Sequence, residues 1–552
     1  MHTLTPEAVP PEVAVPVREA PPPEQPDPDV PFADVDGAVR WIKSLPLTNA
    51  TQLASALLAQ LRAMSLLEFV PRERARIAEV IREQVAHVHT ELARRYAGKP
   101  QPAGDRELDA ADQAIALWHA LWEQYSACLK PLLEGDPELE GVKAKVLQRG
   151  LYVGKQLVLV YGLARRAPPP QLWQEIHAYY RLAEMLECTG TAVSDELMPA
   201  AVGLSCYSTY VHALLLALAD PCALTVKQIE LTDRWLQMWA RKVCPYGQPR
   251  AAEGPVLLVD LNAGIGATLA ATVPRQLPDS MRFGYPHKLS TSVRGRLKRL
   301  QSGADPAELQ LGRDCGIEQC TTLLSHLDAK WYQLPRSMGG LSTGVVSLCG
   351  GGLSAAFFRA SGRTFERSDP LGRTTTYQGG TRGLHLQTLG AVTDYDRGRE
   401  EAERKWAWEQ WEGTYEHRDA VLMRTGNVLH RWFLEQLVVL EDDDLLRLGY
   451  VTRVAQGDGA TLHMSLRLFS GKPQALAVRP VSTALAEDPP VPCLLLAEMP
   501  DDKASLILPP RTFTPSRVVR TMDGGPERTY RLTRLLQRGA DFERVAFEAA
   551  EA

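Results

Sequence analysis

The sequence predicts an α+β protein with an all-helical N-terminal domain, a mixed middle segment and small antiparallel β-barrels toward the C-terminal end. Three observations predict this class: helical hydrophobic periodicity over about 35–250, mixed strands and helices over 251–335, and short strand candidates from Gly344 onward. A chain of 552 residues is also too long for one hydrophobic core. We therefore expect these units: a tail at 1–34, the helical domain at 35–250, the mixed segment at 251–335, a barrel at 336–480 with an insertion at 359–411, and a β-rich unit at 481–552.

The N-terminal part begins with a stretch rich in proline and glutamate that is too poor in apolar residues to fold, so we expect residues 1–34 to be disordered. Helices are predicted to follow. Asn49 is placed as an N-cap with Gln52 three residues on, and Pro71 suits the first turn of the next helix. Apolar residues then recur at helical spacing, so the domain is expected to be a helical bundle.

The middle segment changes character at Gly254. The run Pro255–Leu261 is short, apolar and bounded by turn residues, which is typical of a strand. Residues 290–301 and 316–331 have helical patterns. The segment is therefore predicted to mix strands and helices.

The C-terminal third contains closely spaced strand candidates with turn residues between them, which favours small antiparallel barrels. The candidates are VVSLC, AVLM, QLVVL, LGYVTRV, TLHMSLRLF, LAVRP, CLLLAEM and ASLILP. They are interrupted by a polar stretch rich in glycine, arginine and threonine, followed by a charged stretch with helical propensity. We interpret this interruption, 359–411, as an insertion between barrel strands.

Composition excludes some classes of function. The formal net charge is −5, which gives no general attraction to nucleic acid or anionic lipid. Nine cysteines, an odd number spread over the chain, are typical of buried thiols in a reducing compartment, so no disulfide framework is expected. No apolar run reaches membrane-spanning length and the first residues lack a signal-peptide pattern, so we expect a cytoplasmic location.

Enzymatic motifs are weak. Gly340–Gly344 fits the G-x-S-x-G pattern around Ser342, but a nucleophile elbow needs a strand before the serine and a helix after it, and here the predicted order is reversed. An enzyme using Ser342 or Ser354 is the least favoured hypothesis. No catalytic residue is predicted.

Three other motifs also have plain structural interpretations. The Gly264-Ile-Gly266 pair lacks the third glycine of a dinucleotide-binding loop and is predicted to be a tight turn. Cys315 and Cys320 lack a second pair of metal ligands. The acidic run 441–444 is expected to be a solvated strand end, so no metal site is predicted.

Arginines in the insertion are more informative, because a guanidinium group can bind phosphate through two hydrogen bonds and stack on a purine. Arg363 and Arg367 form an R-x-x-x-R run there. Such a run also occurs by chance in an arginine-rich chain, so binding of an anion or a nucleotide is one hypothesis for this spacing.

Several segments together resemble large bacterial multidomain proteins that carry a divergent PilZ-type barrel. The resemblance rests on the segments Trp41–Asn49, Pro71–Arg74, Leu289–Leu300, Leu446–Arg453 and Leu466–Pro480, and it covers most of the chain from about 35 to 545. It implies a PilZ-like barrel and cyclic di-GMP as the ligand.

PilZ barrels hold this dinucleotide with R-x-x-x-R before the first strand and D/N-x-S-x-x-G on a neighbouring strand. Before VVSLC this chain keeps only Arg336, and near the second motif it has Tyr415-Glu-His-Arg-Asp-Ala-Val421, without the serine and glycine. The ligand motifs are therefore degenerate. The predicted ligand-binding residues are Arg336, Arg363, Arg367 and Arg418, with Arg363 and Arg367 replacing the lost pair.

The leading hypothesis is a non-enzymatic regulatory protein that senses cyclic di-GMP and relays the signal to protein partners. The alternative is a ligand-free scaffold or adaptor that binds partners, or a second copy of itself, through the helical domain. No cofactor, nucleic acid or membrane insertion is predicted.

Overall fold

The computed structural model describes residues 30–550, except 47, 199–202, 246–253, 275, 277, 335–341, 367–393, 417, 427, 443–444, 458, 482–487 and 523–526. Most of the predicted tail, residues 1–29, therefore lies outside the described residues. Its last part is described: Phe32 is buried, and Asp34 caps the first helix by accepting a hydrogen bond from the Gly37 amide at 2.7 Å.

The N-terminal domain is helical, as predicted. Its α-helices are α1 (Val35–Ser44), α2 (Ala50–Ser65), α3 (Pro71–Tyr96), α4 (Asp105–Ser126), α5 (Leu129–Leu133), α6 (Pro137–Glu140), α7 (Lys143–Leu163), α8 (Pro170–Met185), α9 (Cys206–Leu218) and α10 (Val226–Trp239), with 3-10 turns at Pro221–Ala223 and Ala240–Lys242.

The predicted helix starts of this domain are confirmed. The Asn49 side chain accepts a hydrogen bond from the Gln52 amide at 3.2 Å, and Pro71 is the first residue of α3. Proline fits there because the first amides of a helix have no partner within it. The apolar stripes of these helices are fully buried in one continuous core.

A cluster of buried charges lies inside this helical core, and no sequence motif indicated it. The Asp195 carboxylate accepts hydrogen bonds from Arg82 at 2.7 Å and forms an ion pair with Arg149 at 3.1 Å. Arg149 also binds Glu79 at 2.8 Å. Burial alone would raise the pKa of Glu79, but its contacts with Arg149 and Arg82 lower it to about 2. The cluster fixes α3, α7 and the segment before α9 relative to one another.

The middle segment is mixed, as predicted, and begins earlier than expected. A four-stranded antiparallel sheet has the order β1-β4-β2-β3. It is formed by β1 (Cys244–Pro245), β2 (Val256–Asp260), β3 (Thr268–Ala270) and β4 (Met281–Tyr285), and it is followed by α11 (His287–Gln301) and α12 (Ile317–Tyr332). Because β1 pairs with β4, Cys244 belongs to this sheet and not to the helical domain.

The middle segment shares the core of the helical domain. Val259 and Trp331 belong to the same apolar cluster as the helices. The loop with Gly264 and Gly266 packs so closely on α8 that a Cβ at Gly266 would lie 2.9 Å from the Trp173 ring. The two glycines therefore serve close packing, in agreement with the structural interpretation of this motif.

The first barrel is a closed antiparallel sheet with the order β10-β7-β6-β5-β8-β9. Its strands are β5 (Ser342–Cys349), β6 (Glu409–Glu416), β7 (Asp419–Thr425), β8 (Leu437–Asp442), β9 (Leu445–Gln456) and β10 (Thr461–Leu468). Its interior contains Trp411, Leu422 and Met464, all with no more than 1% of their surface exposed.

The second barrel is also closed and antiparallel, with the order β11-β12-β13-β16-β15-β14. Its strands are β11 (Pro473–Pro480), β12 (Val491–Leu496), β13 (Ser505–Leu508), β14 (Val518–Thr521), β15 (Thr529–Arg538) and β16 (Glu543–Ala550). The predicted boundary at 480 is wrong, because β11 pairs with β12 and β14 and so belongs to the second barrel.

The insertion between β5 and β6 also has different limits from those predicted, 359–411. Helix α13 (Gly352–Ser361) begins directly after β5, and β6 already begins at Glu409. Helix α14 (Asp394–Lys405) precedes β6, as its helical propensity indicated. The insertion therefore spans 350–408.

Two of the cysteines lie close together. The structure brings Cys315 next to Cys320, with their Cα atoms 6.1 Å apart. The two residues are neighbours because Cys315 precedes α12 and Cys320 lies in its first turns. Cys128, Cys188, Cys206, Cys222, Cys349 and Cys493 are buried free thiols, as expected.

Within the described part of the chain, no helix combines the length and the apolar character that crossing a bilayer requires.

Candidate functional site

The predicted arginines are only partly described. Arg336 and Arg367 lie outside the described residues. Arg363 follows α13 directly, and Arg418 lies in the turn between β6 and β7. The structure therefore shows the surroundings of two of the four.

Helix α13 positions Arg363. It follows β5 through three consecutive glycines, and Gly351 and Gly352 have φ angles of 112° and 63°. Side chains at these two positions would collide with Trp406 and with Asp541 of the second barrel. The glycines thus allow a sharp turn from strand to helix under two close neighbours.

The two barrels share α13 as a packing partner. One apolar cluster contains the buried face of α13 and residues of both barrels. Its members are Leu353, Ala355, Ala356 and Phe358 of α13, Leu437, Val439 and Leu448 of the first barrel, and Leu494, Leu496, Ile507 and Phe542 of the second. A shift of this helix would therefore disturb the packing of both barrels.

Asp541 joins the start of α13 to both barrels. Its Oδ1 atom accepts a hydrogen bond from the Leu437 amide at 2.8 Å, and its other oxygen lies against Gly352. Burial raises the pKa of Asp541 to about 6, although the bond from Leu437 acts in the opposite direction. The carboxyl group therefore keeps its proton to a higher pH than an ordinary aspartate does.

The segment after α13 is anchored to the helix. Gly362 ends the helix in the left-handed conformation, with φ 71°. The Arg363 amide donates to the Ser361 hydroxyl at 3.2 Å, and the Phe365 ring packs edge-on against Phe357 at 5.5 Å. The first half of the R-x-x-x-R run is thus held at the end of the helix that both barrels contact.

Arg359, which the sequence analysis missed, supports this segment. Its guanidinium group binds Glu403 of α14 at 2.8 Å, donates to the Trp406 carbonyl, and lies 4.5 Å from the centre of the Trp408 ring. Only 8% of its side chain is exposed. A sequence signal existed, because Arg359 precedes Arg363 by the same four residues that separate Arg363 from Arg367. We call the group of Arg359, Arg363, Phe365 and Trp408 the insertion base.

Arg418 lies at the junction of the two barrels. Its guanidinium group donates to the Ser470 hydroxyl at 2.6 Å and pairs with Asp501 at 3.4 Å and with Asp502. Asp502 also pairs with Arg544 of β16 at 2.8 Å. The described contacts of Arg418 therefore connect the first barrel to the second.

The weak enzymatic and metal motifs gain no geometric support. Ser354 is exposed on α13, and the described residues offer it no hydrogen bond to a histidine or a carboxylate, while the side chain of Ser342 is not described. Asp443 and Asp444 also lie outside the described residues. Among the residues that are described, no group of three or more histidine, cysteine, aspartate or glutamate side chains could hold a metal ion.

A helical domain followed by two closed antiparallel barrels defines a class of proteins that matches known families at both ends. A family model described as the N-terminal domain of the cyclic-di-GMP receptor FimW matches residues 36–246, which contain the helical domain and β1. A model described as the FimW C-terminal beta-barrel domain matches residues 476–550, which form the second barrel. Together the two matches cover more than half of the chain.

The chain therefore belongs to the FimW family. The resemblance to cyclic di-GMP receptors with PilZ-type barrels is confirmed by this match, and the two barrels are consistent with it. The predicted α+β fold class is confirmed as well. No curated protein and no solved structure matches the chain.

Proposed function

We propose that this chain is a non-enzymatic effector that binds cyclic di-GMP at the insertion base, with Arg363 and Arg367 holding the dinucleotide. The proposal is supported by the match to a cyclic di-GMP receptor family and by the position of Arg363 at the end of the helix that both barrels contact.

The chemistry of the insertion base suits this ligand. Cyclic di-GMP offers two phosphodiesters and two guanines, and guanidinium groups can bind the former through paired hydrogen bonds and stack on the latter. Arg363 is half-buried, and its backbone is held by Ser361. A backbone segment that is already ordered loses less conformational entropy on binding than a free one.

The relay runs from the barrels to the helical domain through two described junctions. At the first, the Gln101 and Trp432 backbones exchange hydrogen bonds of 2.7 and 2.6 Å. At the second, Asp220 pairs with Arg453 of β9 at 3.1 Å and with Lys330 of α12 at 3.0 Å. A change in the first barrel would therefore reach the helical domain, where we place the binding of protein partners or of a second copy.

The alternative, a scaffold without ligand, is favoured by one observation. Arg359 and Arg418 are both held in internal contacts, so neither offers a free guanidinium group to a phosphate. Arg418 remains a predicted ligand residue only if ligand binding breaks its bonds to Ser470 and Asp502.

Calorimetric titration with cyclic di-GMP tests the proposal. The intact chain is expected to bind it, and the double variant Arg363→Ala, Arg367→Ala is expected to bind at least ~10-fold more weakly, because each charge-assisted hydrogen bond contributes about 1.5–3 kcal/mol.

A matched control is available on α3. Arg72 and Arg76 have the same four-residue spacing and are exposed, so the variant Arg72→Ala, Arg76→Ala removes equal charge away from the insertion base. It should bind like the intact chain. Absence of heat with the intact chain at high micromolar ligand would leave the scaffold hypothesis, and equal binding by both double variants would place the ligand elsewhere.

A further inference from the structure

A second basic site lies on α11, far from the insertion in sequence. The helix has the sequence HKLSTSVRGRLKRLQ, with five lysines and arginines and no acidic residue. The 3-10 turn before the sheet adds Arg241 and Lys242, and the Lys242 ammonium group donates to the Ser292 hydroxyl at 2.6 Å. Two elements thus bring their cations to one place.

Two of these cations, Arg296 and Arg299, line a groove of about 380 Å³. One wall is α11, and the other is the turn after it; the lining residues are Thr291, Ser292, Gly295, Arg296, Arg299, Glu308, Leu309 and Gln310. A Cβ at Gly295 would meet nothing within 4 Å, so the wall is open there. A groove of this size can hold a small molecule or a headgroup.

Arg296 is held in place within the groove. Its Nε atom donates to the Leu309 carbonyl at 2.9 Å, its Nη1 atom donates to the Ser292 hydroxyl at 2.6 Å, and its guanidinium group lies 5.2 Å from the centre of the Trp239 ring. The described residues provide no partner for its Nη2 atom. The side chain is therefore oriented before any ligand arrives, and the two N–H groups of Nη2 are unused.

The groove lining carries one acidic side chain, Glu308, against the two arginines Arg296 and Arg299, so its net charge is positive. Within the described part of the chain, Arg241, Lys242, Arg296 and Arg299 form no ion pair, whereas the neighbouring Arg294 binds Asp328 at 2.8 Å. Burial lowers the pKa of Lys242, and the charges of Arg296 and Arg241 lower it further. Burial also lowers the pKa of Arg296, and the charge of Arg299 lowers it further. The cations repel one another, so a bound anion would stabilise them.

We propose that this groove binds a phosphate group, with Arg296 and Arg299 as the charged donors and the Ser292 hydroxyl beside them. Guanidinium forks next to a hydroxyl match the geometry of phosphate oxygens, and the concave shape favours a compact anion over an extended acidic chain. The phosphate can belong to a soluble phosphorylated molecule or to a lipid headgroup.

Titration of the full chain with pyrophosphate tests the proposal. The variant Arg299→Gln is expected to weaken binding about tenfold, since it removes a charge-assisted contact. Lys298→Gln is the matched control, because Lys298 is exposed on the same helix but does not line the groove. It should change the affinity less than about twofold, as expected for screened surface charge.

The results of this titration distinguish the groove on α11 from a diffuse basic surface and from the insertion base. No pyrophosphate binding at millimolar concentration would overturn the proposal, and so would equal losses in Arg299→Gln and Lys298→Gln, which would indicate a diffuse basic surface. Loss of pyrophosphate binding in Arg363→Ala, Arg367→Ala would assign the phosphate to the insertion base instead.

Two further titrations identify the source of the phosphate. Binding to vesicles containing phosphatidic acid, but not to phosphatidylcholine vesicles, and its loss in Arg299→Gln would identify a lipid headgroup. Pyrophosphate binding without vesicle binding would identify a soluble molecule. Binding of polyglutamate without pyrophosphate would contradict the phosphate assignment and indicate an acidic protein segment.

Discussion

At the residue scale, Asp541 is the most unusual titrating group of the candidate site. It lies against Gly352 at the start of α13 and accepts the Leu437 amide, so one carboxyl group contacts the helix and both barrels. Burial raises its pKa to about 6 from an ordinary value of 3.8. The folded state therefore binds this proton more tightly than the unfolded state.

This raised pKa predicts a pH dependence of stability. Because the folded pKa lies above the unfolded one, the stabilisation from the protonated form is present at low pH and is lost as pH rises through about 6. Between pH 5 and pH 8, Asp541 should cost the folded state on the order of 1 kcal/mol. Chemical denaturation of the intact chain and of Asp541→Asn at both pH values measures this change in the free energy of unfolding.

The asparagine still accepts the Leu437 amide but has no charge to bury, so the intact chain should lose stability relative to the variant between pH 5 and pH 8. If the free energies of unfolding of the two proteins differed by the same amount at pH 5 and at pH 8, the raised pKa of Asp541 would be contradicted.

The sequence predicted some residues of the candidate site and missed others. Arg363 could be proposed because the R-x-x-x-R spacing is local. Arg359 was missed because its role depends on Trp408 and Glu403, which are more than 40 residues away. The pairing of Asp195 with Arg82 spans 113 residues, and no periodicity indicates such a contact.

At the element scale, α7 illustrates how close packing can override helix propensity. It carries glycines at 150, 154 and 162, although glycine is a poor helix former. An added Cβ at Gly150 would fall inside the Tyr179 ring, and Tyr179 is only 3% exposed. Gly150 and Gly154 allow α8 to pack directly on the backbone of α7, and Gly162 allows the close approach of Pro221.

Two glycine substitutions should therefore change stability in opposite directions. Gly150→Ala is expected to destabilise the protein by about 1–3 kcal/mol or more, because the buried ring must move. Gly295→Ala on α11 should stabilise it by about 0.5–1 kcal/mol, because its Cβ meets nothing within 4 Å. Urea denaturation measures both, and a stabilised Gly150→Ala would contradict the packing of α7 on α8.

The elements were well predicted where the signal is local. Helical periodicity, the Asn49 cap and the runs of strand residues identified the helices and most barrel strands. Strand membership was not predictable in the same way. Whether β11 closes the first or the second barrel depends on its pairing with β12 and β14, which the strand's own sequence does not contain.

At the scale of the whole molecule, polar contacts join the first barrel to the helical domain, whereas an apolar cluster and ion pairs join the two barrels. The helical domain and the sheet share one core, and the first barrel contacts it through Arg453 and through the Trp432 backbone. The barrels in turn share α13 and the Arg418 pairs with Asp501 and Asp502. This arrangement was not predictable, because each junction joins residues that are far apart in the sequence.

The proposed binding of cyclic di-GMP at the end of α13 can be tested on the intact molecule. Hydrogen–deuterium exchange of the intact chain, with and without the dinucleotide, tests it most directly. We expect slower exchange over residues 352–366, which persists in Arg72→Ala, Arg76→Ala and disappears in Arg363→Ala, Arg367→Ala. Protection confined to other segments, or unchanged exchange over 352–366 at saturating ligand, would contradict it.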